Sequence, residues 1–310
     1  MSGWLYRWLR ARYERLLTRE VTGAPTHVAV IQDGNRRYAR SRGGEAPDGY
    51  RAGADTTEAV LEWCREIGVE ELTIYAFSTE NFNRPPDERE ALFDLLTEKL
   101  TEFADADRVH DNEVRIRVIG DAARLPPRLQ EAIEYAEGRT AEYDQFVLNV
   151  ALAYGGRSEL LEAARSVARD VEDGALEPDE IDVETIDRRL YDDPVRDVDL
   201  IIRTGGDERT SNFLPWHANG NEAAVFFCTP YWPEFSRVDF LRGIRTYQHR
   251  EESWRRTRAR RALALLRAIS EPELLEAKTT VARFRDSLPS AERPDEEELE
   301  RTDSAGPTLE

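Results

Sequence analysis

Lysine is nearly missing from this chain of 310 residues: of its 43 basic side chains only Lys99 and Lys278 are lysines, and the rest are arginines. Set against 62 acidic residues, they leave a formal charge of -19. No global positive field exists to gather phosphate backbones, which excludes a general nucleic-acid binder. A strongly acidic, lysine-poor surface stays hydrated where salt screens charge, so the composition reads as an adaptation to high salt. Cysteine is equally scarce. Cys64 and Cys228 lie far apart without a CxxC or metal-ligand spacing, which excludes a disulfide framework and points to a reduced, cytoplasmic chain in which both are small core residues. The four histidines show no metal-ligand spacing either, so none is assigned to zinc, and His27 reads as a structural histidine at a strand end. No apolar stretch approaches the roughly 18 to 20 residues that span a bilayer, and the N-terminus lacks a signal peptide's uninterrupted apolar core. The protein is therefore expected in the cytoplasm or peripherally at a membrane.

Three regions are expected. Residues 1–24 form an amphipathic helix: Trp4, Leu5, Trp8, Leu9, Tyr13, Leu16 and Leu17 recur at helical spacing, with Arg7, Arg10, Arg15 and Arg19 between them. Docking on its own domain and contact with a lipid interface are both open to such a helix. Residues 25–270 alternate short apolar runs with amphipathic stretches, the pattern of βαβ units. The fold class is α/β, a single domain with a mainly parallel six-stranded sheet flanked by helices. Strands are expected over 27–31, 72–77, 114–119, 146–151, 199–202 and 224–227, and helices over 49–67, 88–108, 127–142, 157–171, 181–190 and 237–269. Residues 288–310 are polar, acidic and broken by Pro and Gly, and read as a disordered tail.

Ligands of open α/β sheets bind beyond the carboxyl ends of the strands. The first strand ends in Asp33-Gly34-Asn35-Arg36-Arg37-Tyr38, which supplies a carboxylate, a flexible turn and two guanidinium groups before a helix start. The second leads into Ser78-Thr79-Glu80-Asn81-Phe82-Asn83-Arg84, and the fifth into Arg203 through Arg209-Thr210-Ser211. Arginine forks match phosphate oxygens with paired hydrogen bonds, so Arg37, Arg84, Arg203 and Arg209 at one sheet edge could hold two diphosphates. Singly, each residue also has a bland reading. Ser78 and Asn81 are helix caps, Arg84 pairs with Asp87 or Glu88, and Tyr38 and Phe82 are packing residues.

In combination, the segments HVAVIQDGNRRYAR, LTIYAFSTENFNRP, LNVALAYGGR and DLIIRTGGDERTSNFLPW, with Glu222 downstream, resemble the cis-prenyltransferase family, and they run in family order across about 25 to 250. The forms are most similar to archaeal and eukaryotic members. The resemblance implies condensation of an allylic diphosphate, with geranylgeranyl favoured, with isopentenyl diphosphate to a long polycis product that serves as a glycosyl carrier precursor. It assigns Mg²⁺ to Asp33 and to Glu222 of the same or a neighbouring subunit, and the allylic diphosphate to Arg37, Arg84 and the backbone of Gly34, Asn35 and Arg36. Arg203, Arg209, Thr210 and Ser211 fall to isopentenyl diphosphate. Asn81 stands at the family position tied to proton removal, where a neutral amide orients better than it deprotonates. Tyr38 and Phe82 would flank the allylic chain beside Ser78, Thr79 and Glu80. Ala76 and the helix from Glu88 to Phe103 would line an apolar tunnel.

The chain also departs from the family. The Arg and His usual in bacterial members fall in register at Ala46 and Tyr50, and the Arg-x-Gly of many single-subunit members is not found after His249. The second absence leaves a homodimer with another solution or a subunit of a heteromer. Two rival functions are a scaffold that has lost its chemistry and a phosphate-ester hydrolase with Asp33 as nucleophile. The retained charged set opposes the first, and the want of a suitably placed lysine opposes the second.

Overall fold

The computed structural model describes residues 3–191, 195–218 and 222–268, with Arg283 and Arg285. Its centre is a six-stranded sheet of β1 (His27–Ile31), β2 (Glu71–Tyr75), β3 (Val114–Ile119), β4 (Phe146–Ala151), β5 (Leu200–Arg203) and β6 (Ala224–Phe227). The order is β3-β4-β2-β1-β5-β6, and every pairing is parallel. The mainly parallel sheet expected from the sequence is wholly parallel.

Parallel strands covered on both faces read as nearly continuous apolar runs. Period two divides them between two cores: Val28, Val30, Leu200 and Ile202 face one, and Ala29, Ile31 and Ile201 face the other. The first core is covered by α3 (Ala46–Ile67), α4 (Pro86–Asp105) and α6 (Pro127–Thr140), with α2 (Asn35–Ser41) packed on α3. α5 (Asp107–Asp111), α7 (Gly156–Glu172) and α8 (Val183–Leu190) complete the helices between strands, and α1 (Gly3–Glu20) and α9 (Arg237–Ala268) stand before and after the sheet. The chain divides into two compact units at Tyr247, and the whole sheet lies in the first. The second begins at Gln248 within α9. Residues 269 and 270 and the expected tail at 288–310 lie outside the described residues.

Several boundaries differ from expectation for local reasons. β2 ends at Tyr75 because the amides of Ala76 and Phe77 converge on a single acceptor, Ala151 O, and the ladder stops. β5 begins after Asp199, whose carboxylate accepts from the amides of Thr26 and His27 at 2.7 and 3.0 Å. The expected helix over 88–108 is broken by extended backbone at Ala106, ψ 129°. His27 is fully buried, and its ring bonds Arg196 O and Thr73 Oγ1. Cys64 and Cys228 are free and buried.

On the second face, Glu159 of α7 accepts hydrogen bonds from the hydroxyls of Tyr154, at 2.6 Å, and Tyr191. Burial pushes its pKa above the ordinary 4.5, against the lowering effect of the two hydroxyls. A carboxyl raised by folding contributes stability that is complete below its unfolded pKa and lost as pH rises through the folded one. Glu159→Gln should therefore gain thermal stability relative to wild type as pH is raised above 4.5. Melting curves of both proteins from about pH 4 to pH 8 check this, and a constant gap would contradict it.

Candidate active site

Connections from β1 run to one side of the sheet and return through β5 on the other, so β1 and β5 flank a topological switch point, where open α/β sheets place ligands. Asp33 follows β1 and Arg203 closes β5. Arg203 is only 3% exposed and donates from Nη2 to Asp33 Oδ2 at 2.8 Å and Asp207 at 3.1 Å, and from Nη1 to Ser211 Oγ and Arg209 O, both at 2.5 Å. Arg37 Nη2 donates to Asp33 Oδ1 at 3.1 Å, and its guanidinium lies over the Tyr231 ring. Burial pushes the Asp33 carboxyl up in pKa, but the hydrogen bonds and charges of Arg203 and Arg37 outweigh it and hold the group below the usual range. Thr204 adds a further clasp by accepting from Asp33 N and donating to Asp33 O.

A second charged group faces this one. Tyr50 of α3 donates to Glu88 Oε1 at 2.5 Å and accepts from Arg84 Nη1 at 2.5 Å. The same carboxylate oxygen lies 3.3 Å from Arg36 Nε and 3.5 Å from Arg84 Nη1. Glu88 thus collects two arginines and a tyrosine, and burial raises the Tyr50 hydroxyl pKa so that it stays a donor. From the sequence Glu88 is expected as a pairing partner for Arg84 and as the start of the tunnel-lining helix. Its position four residues after Arg84, on a helix begun by Pro86, was the signal for this larger role.

A cavity of about 370 Å³ opens between these groups. Its polar end is lined by Asp33, Asn35, Tyr50, Ser78, Glu80, Asn81, Arg84, Arg203, Arg209 and Ser211, and its interior by apolar residues of α3, α4, β3 and β4, with Ala76 at the end of β2. Asn35 Oδ1 and Arg203 Nε are buried without a partner, leaving one acceptor and one donor on residues of this lining. Asn81 is both liner and cap: its Oδ1 accepts from Ser78 N at 3.0 Å in a capping box.

Other expected residues stand apart from the lining. Tyr38 packs under Arg42, Phe82 packs against Phe77 and Phe93, and Thr79 bonds Tyr154 O. Thr210 accepts from Phe213 N within its own turn. Glu222 is not brought to Asp33 within one chain. It precedes β6 and raises the pKa of Asp197, which precedes β5, whereas Asp33 follows β1; in a parallel sheet these are opposite edges.

Among the described residues no three acidic, histidine or cysteine side chains cluster to hold a cation unaided. Magnesium takes one or two carboxylates and completes its shell with water and substrate phosphates. A single ionised Asp33 held between two arginines fits a magnesium ion that takes its remaining ligands from water and a diphosphate.

Gly34 is what lets the β1 loop turn into α2. Its φ is 101°, and an added Cβ would lie 2.6 Å from Tyr231 Cδ1 and 3.0 Å from Tyr231 Cα. Gly34→Ala should cost about 1 to 3 kcal/mol and lower the thermal midpoint by a few degrees. A midpoint equal to wild type would show that the turn tolerates a side chain.

Residues 31–255 match the family described as "Putative undecaprenyl diphosphate synthase". The chain is 67% identical to the tritrans,polycis-undecaprenyl-diphosphate synthase (geranylgeranyl-diphosphate specific) of Halobacterium salinarum over 94% of its own length and 97% of the relative's. It is 65% identical to the protein of that name in Haloarcula marismortui, over 91% and 93%. Among solved structures, lavandulyl diphosphate synthase from Lavandula x intermedia, in complex with dimethylallyl diphosphate, superposes with a TM-score of 0.66 at 34% identity, covering 74% of this chain and 96% of the other. A "probable undecaprenyl diphosphate synthase" from Campylobacter jejuni gives 0.59 at 33% identity, over 73% and 96%. A carboxylate clasped by arginines at the switch point, above an apolar cavity, is thus found in a sequence matched nearly end to end by polyprenyl diphosphate synthases, and the chain belongs to the cis-prenyltransferase family.

Proposed function

We propose that the enzyme condenses geranylgeranyl diphosphate with successive isopentenyl diphosphates, with Mg²⁺, to a polycis product of undecaprenyl length. The observation that carries this reading is the cavity itself: arginines from the ends of β2 and β5 and Asp33 from the β1 loop line its polar end, and its interior is mostly apolar. The starter is suggested by the geranylgeranyl-specific names of the haloarchaeal relatives.

In each cycle the allylic C–O bond breaks, a new C–C bond joins the allylic carbon to the terminal alkene carbon of isopentenyl diphosphate, one proton is lost, and inorganic diphosphate leaves. Arg37, Arg84 and Arg36 receive the allylic diphosphate, and Arg203, Arg209 and Ser211 that of isopentenyl diphosphate. Each guanidinium is held by a carboxylate before substrate arrives, so binding exchanges one anion for another. Asp33 is ionised at neutral pH and would hold a magnesium ion, which would supply charge neutralisation to the departing diphosphate. The Asn81 carbonyl is occupied by its cap, which leaves its amide hydrogens to orient the isopentenyl group. Apolar walls keep water from the allylic cation.

Glu222 can reach such a metal only from a second copy of the chain, which favours a homodimer over a self-contained monomer. Among the described residues no helix is long and apolar enough to cross a membrane. Helix α1 instead exposes Trp4, Trp8, Leu9, Tyr13 and Leu16 among five arginines and two glutamates, suited to an anionic lipid surface that would receive the water-insoluble product.

Purified enzyme in high salt with Mg²⁺ and isopentenyl diphosphate should elongate geranylgeranyl diphosphate in preference to geranyl or farnesyl diphosphate, as product chromatography will report. Asp33→Ala should lower turnover by at least about 10²-fold with an unchanged melting midpoint; near-normal turnover would refute the assignment. The full chain should sediment with vesicles containing anionic lipid, and Trp4→Ser with Trp8→Ser should release it. Equal sedimentation of the two proteins would remove α1 from the lipid contact.

A further inference from the structure

Arg37 is the least sheltered of the arginines around Asp33. Its side chain is 43% exposed, and among the described residues it holds to two partners: the Asp33 carboxylate at 3.1 Å and the Tyr231 ring, whose centroid lies 5.3 Å from the guanidinium carbon. Substrate acts differently on the two. On the functional reading above, Asp33 turns to a magnesium ion and the guanidinium to the allylic diphosphate, so the ion pair loosens at the moment when Arg37 is needed. A neutral ring competes for neither ion. Without that ring, an exposed arginine released from Asp33 would regain its rotamer freedom, and diphosphate binding would have to order it again.

The backbone that carries the ring is tied to both loops of the switch point. In the segment 228–235, after β6, Cys228 O and Pro230 O accept from the amides of Gly206 and Gly205 at 2.9 and 2.7 Å. Trp232 donates from its amide to Asp33 O at 2.9 Å and from Nε1 to Gly53 O at 2.7 Å. Tyr231 therefore stands between an anchor to the β5 loop and an anchor to the β1 loop. Two glycines leave the space that the stacked pair fills: a Cβ on Gly34 would lie 2.6 Å from Tyr231 Cδ1, and one on Gly205 would lie 2.6 Å from Arg37 Nη2. None of these four hydrogen bonds uses the Tyr231 side chain, so the segment is held by its backbone and by Trp232.

We propose that Tyr231 is a positioning residue for the allylic diphosphate, keeping Arg37 aimed at the site through a cation–π contact while Asp33 exchanges that arginine for the metal. Tyr231 itself touches no substrate in this role. Its influence falls on one substrate of the two, because Arg203 and Arg209, which receive isopentenyl diphosphate, are held by Asp33, Asp207 and Ser211 without it.

The assignment rests on the functional reading above. Full-length enzyme with Mg²⁺ is assayed for the first condensation while geranylgeranyl and isopentenyl diphosphate are varied in turn. Tyr231→Leu keeps bulk but loses the π face, and should raise KM for geranylgeranyl diphosphate about fivefold or more, with kcat and KM for isopentenyl diphosphate within about twofold of wild type. Tyr231→Phe keeps the face and should hold the allylic KM within about twofold of wild type. A phenylalanine with a fluorinated ring at the same position keeps the shape but weakens the quadrupole, and should raise that KM again, so the test does not depend on the folding of the leucine variant. In an Arg37→Ala background Tyr231→Leu should add less than about twofold, since the ring acts through that arginine. An equal rise of both KM values, an allylic KM unmoved by fluorination, or a full effect of Tyr231→Leu in the Arg37→Ala background would each overturn the assignment and leave the functional reading standing. Wild-type enzyme that elongates no allylic starter would overturn the functional reading, and this assignment with it.

Discussion

A guanidinium that is 3% exposed needs compensation, and the pairing of Arg203 with Asp33 is the constraint around which the site is arranged. Stripping water from an unpaired charge is prohibitive, so the chain must bring acceptors to Arg203. It does so from two directions. Asp33 arrives on the β1 loop, while Asp207, Arg209 O and Ser211 arrive on the loop after β5. Ser211 and Asn212 take positive φ, 50° and 61°, as that loop folds back over the arginine. The same pairing keeps Asp33 ionised, and Arg37 adds the second donor. One buried cation thereby fixes two loops, the charge state of a carboxylate and the polar end of the cavity.

Such a site is held ready at a cost. Under the proposed function, the ion pairs that satisfy these arginines would be surrendered in part to diphosphates, and affinity would reflect an exchange of anions rather than gain of a new contact. The Tyr50–Glu88 group extends the logic to Arg36 and Arg84. Tyr50 occupies the register position of a family histidine. Its hydroxyl lies between Glu88 and Arg84, so this chain answers that departure with a neutral donor and acceptor where another member has an imidazole.

The sheet was legible because its strands are buried on both faces and read as apolar runs, and four of the six ranges agree with the structure at both ends. The convergence of the loops after β1, β2 and β5 followed from strand-end logic. What could not be read depends on packing across the chain. Tyr38 and Phe82 carry the chemistry of tunnel liners, but the helix phase of α2 puts one under Arg42 and the aromatic group of Phe77 and Phe93 claims the other. The edge occupied by Glu222 follows from the direction of β6, which a motif list does not convey. Glu88 lies outside the quoted motif; its spacing signals the pair with Arg84, and its contacts with Tyr50 and Arg36 follow only from packing across the chain.

Charge has different uses at different depths of this molecule. On the surface, in a chain with an excess of carboxylates, single ion pairs contribute little. At the polar end of the cavity the same residue types are partly or wholly withdrawn from water and act strongly because the local dielectric is low. Between these extremes lie the pairs of Glu58 with Lys99 and Arg108, half-buried where α3 meets α4 and α5. A composition rich in acid and arginine therefore does more than confer solubility. By setting how deeply each pair is buried, the fold divides one kind of interaction between a screened surface and the buried cluster that holds Asp33 and Arg203 together.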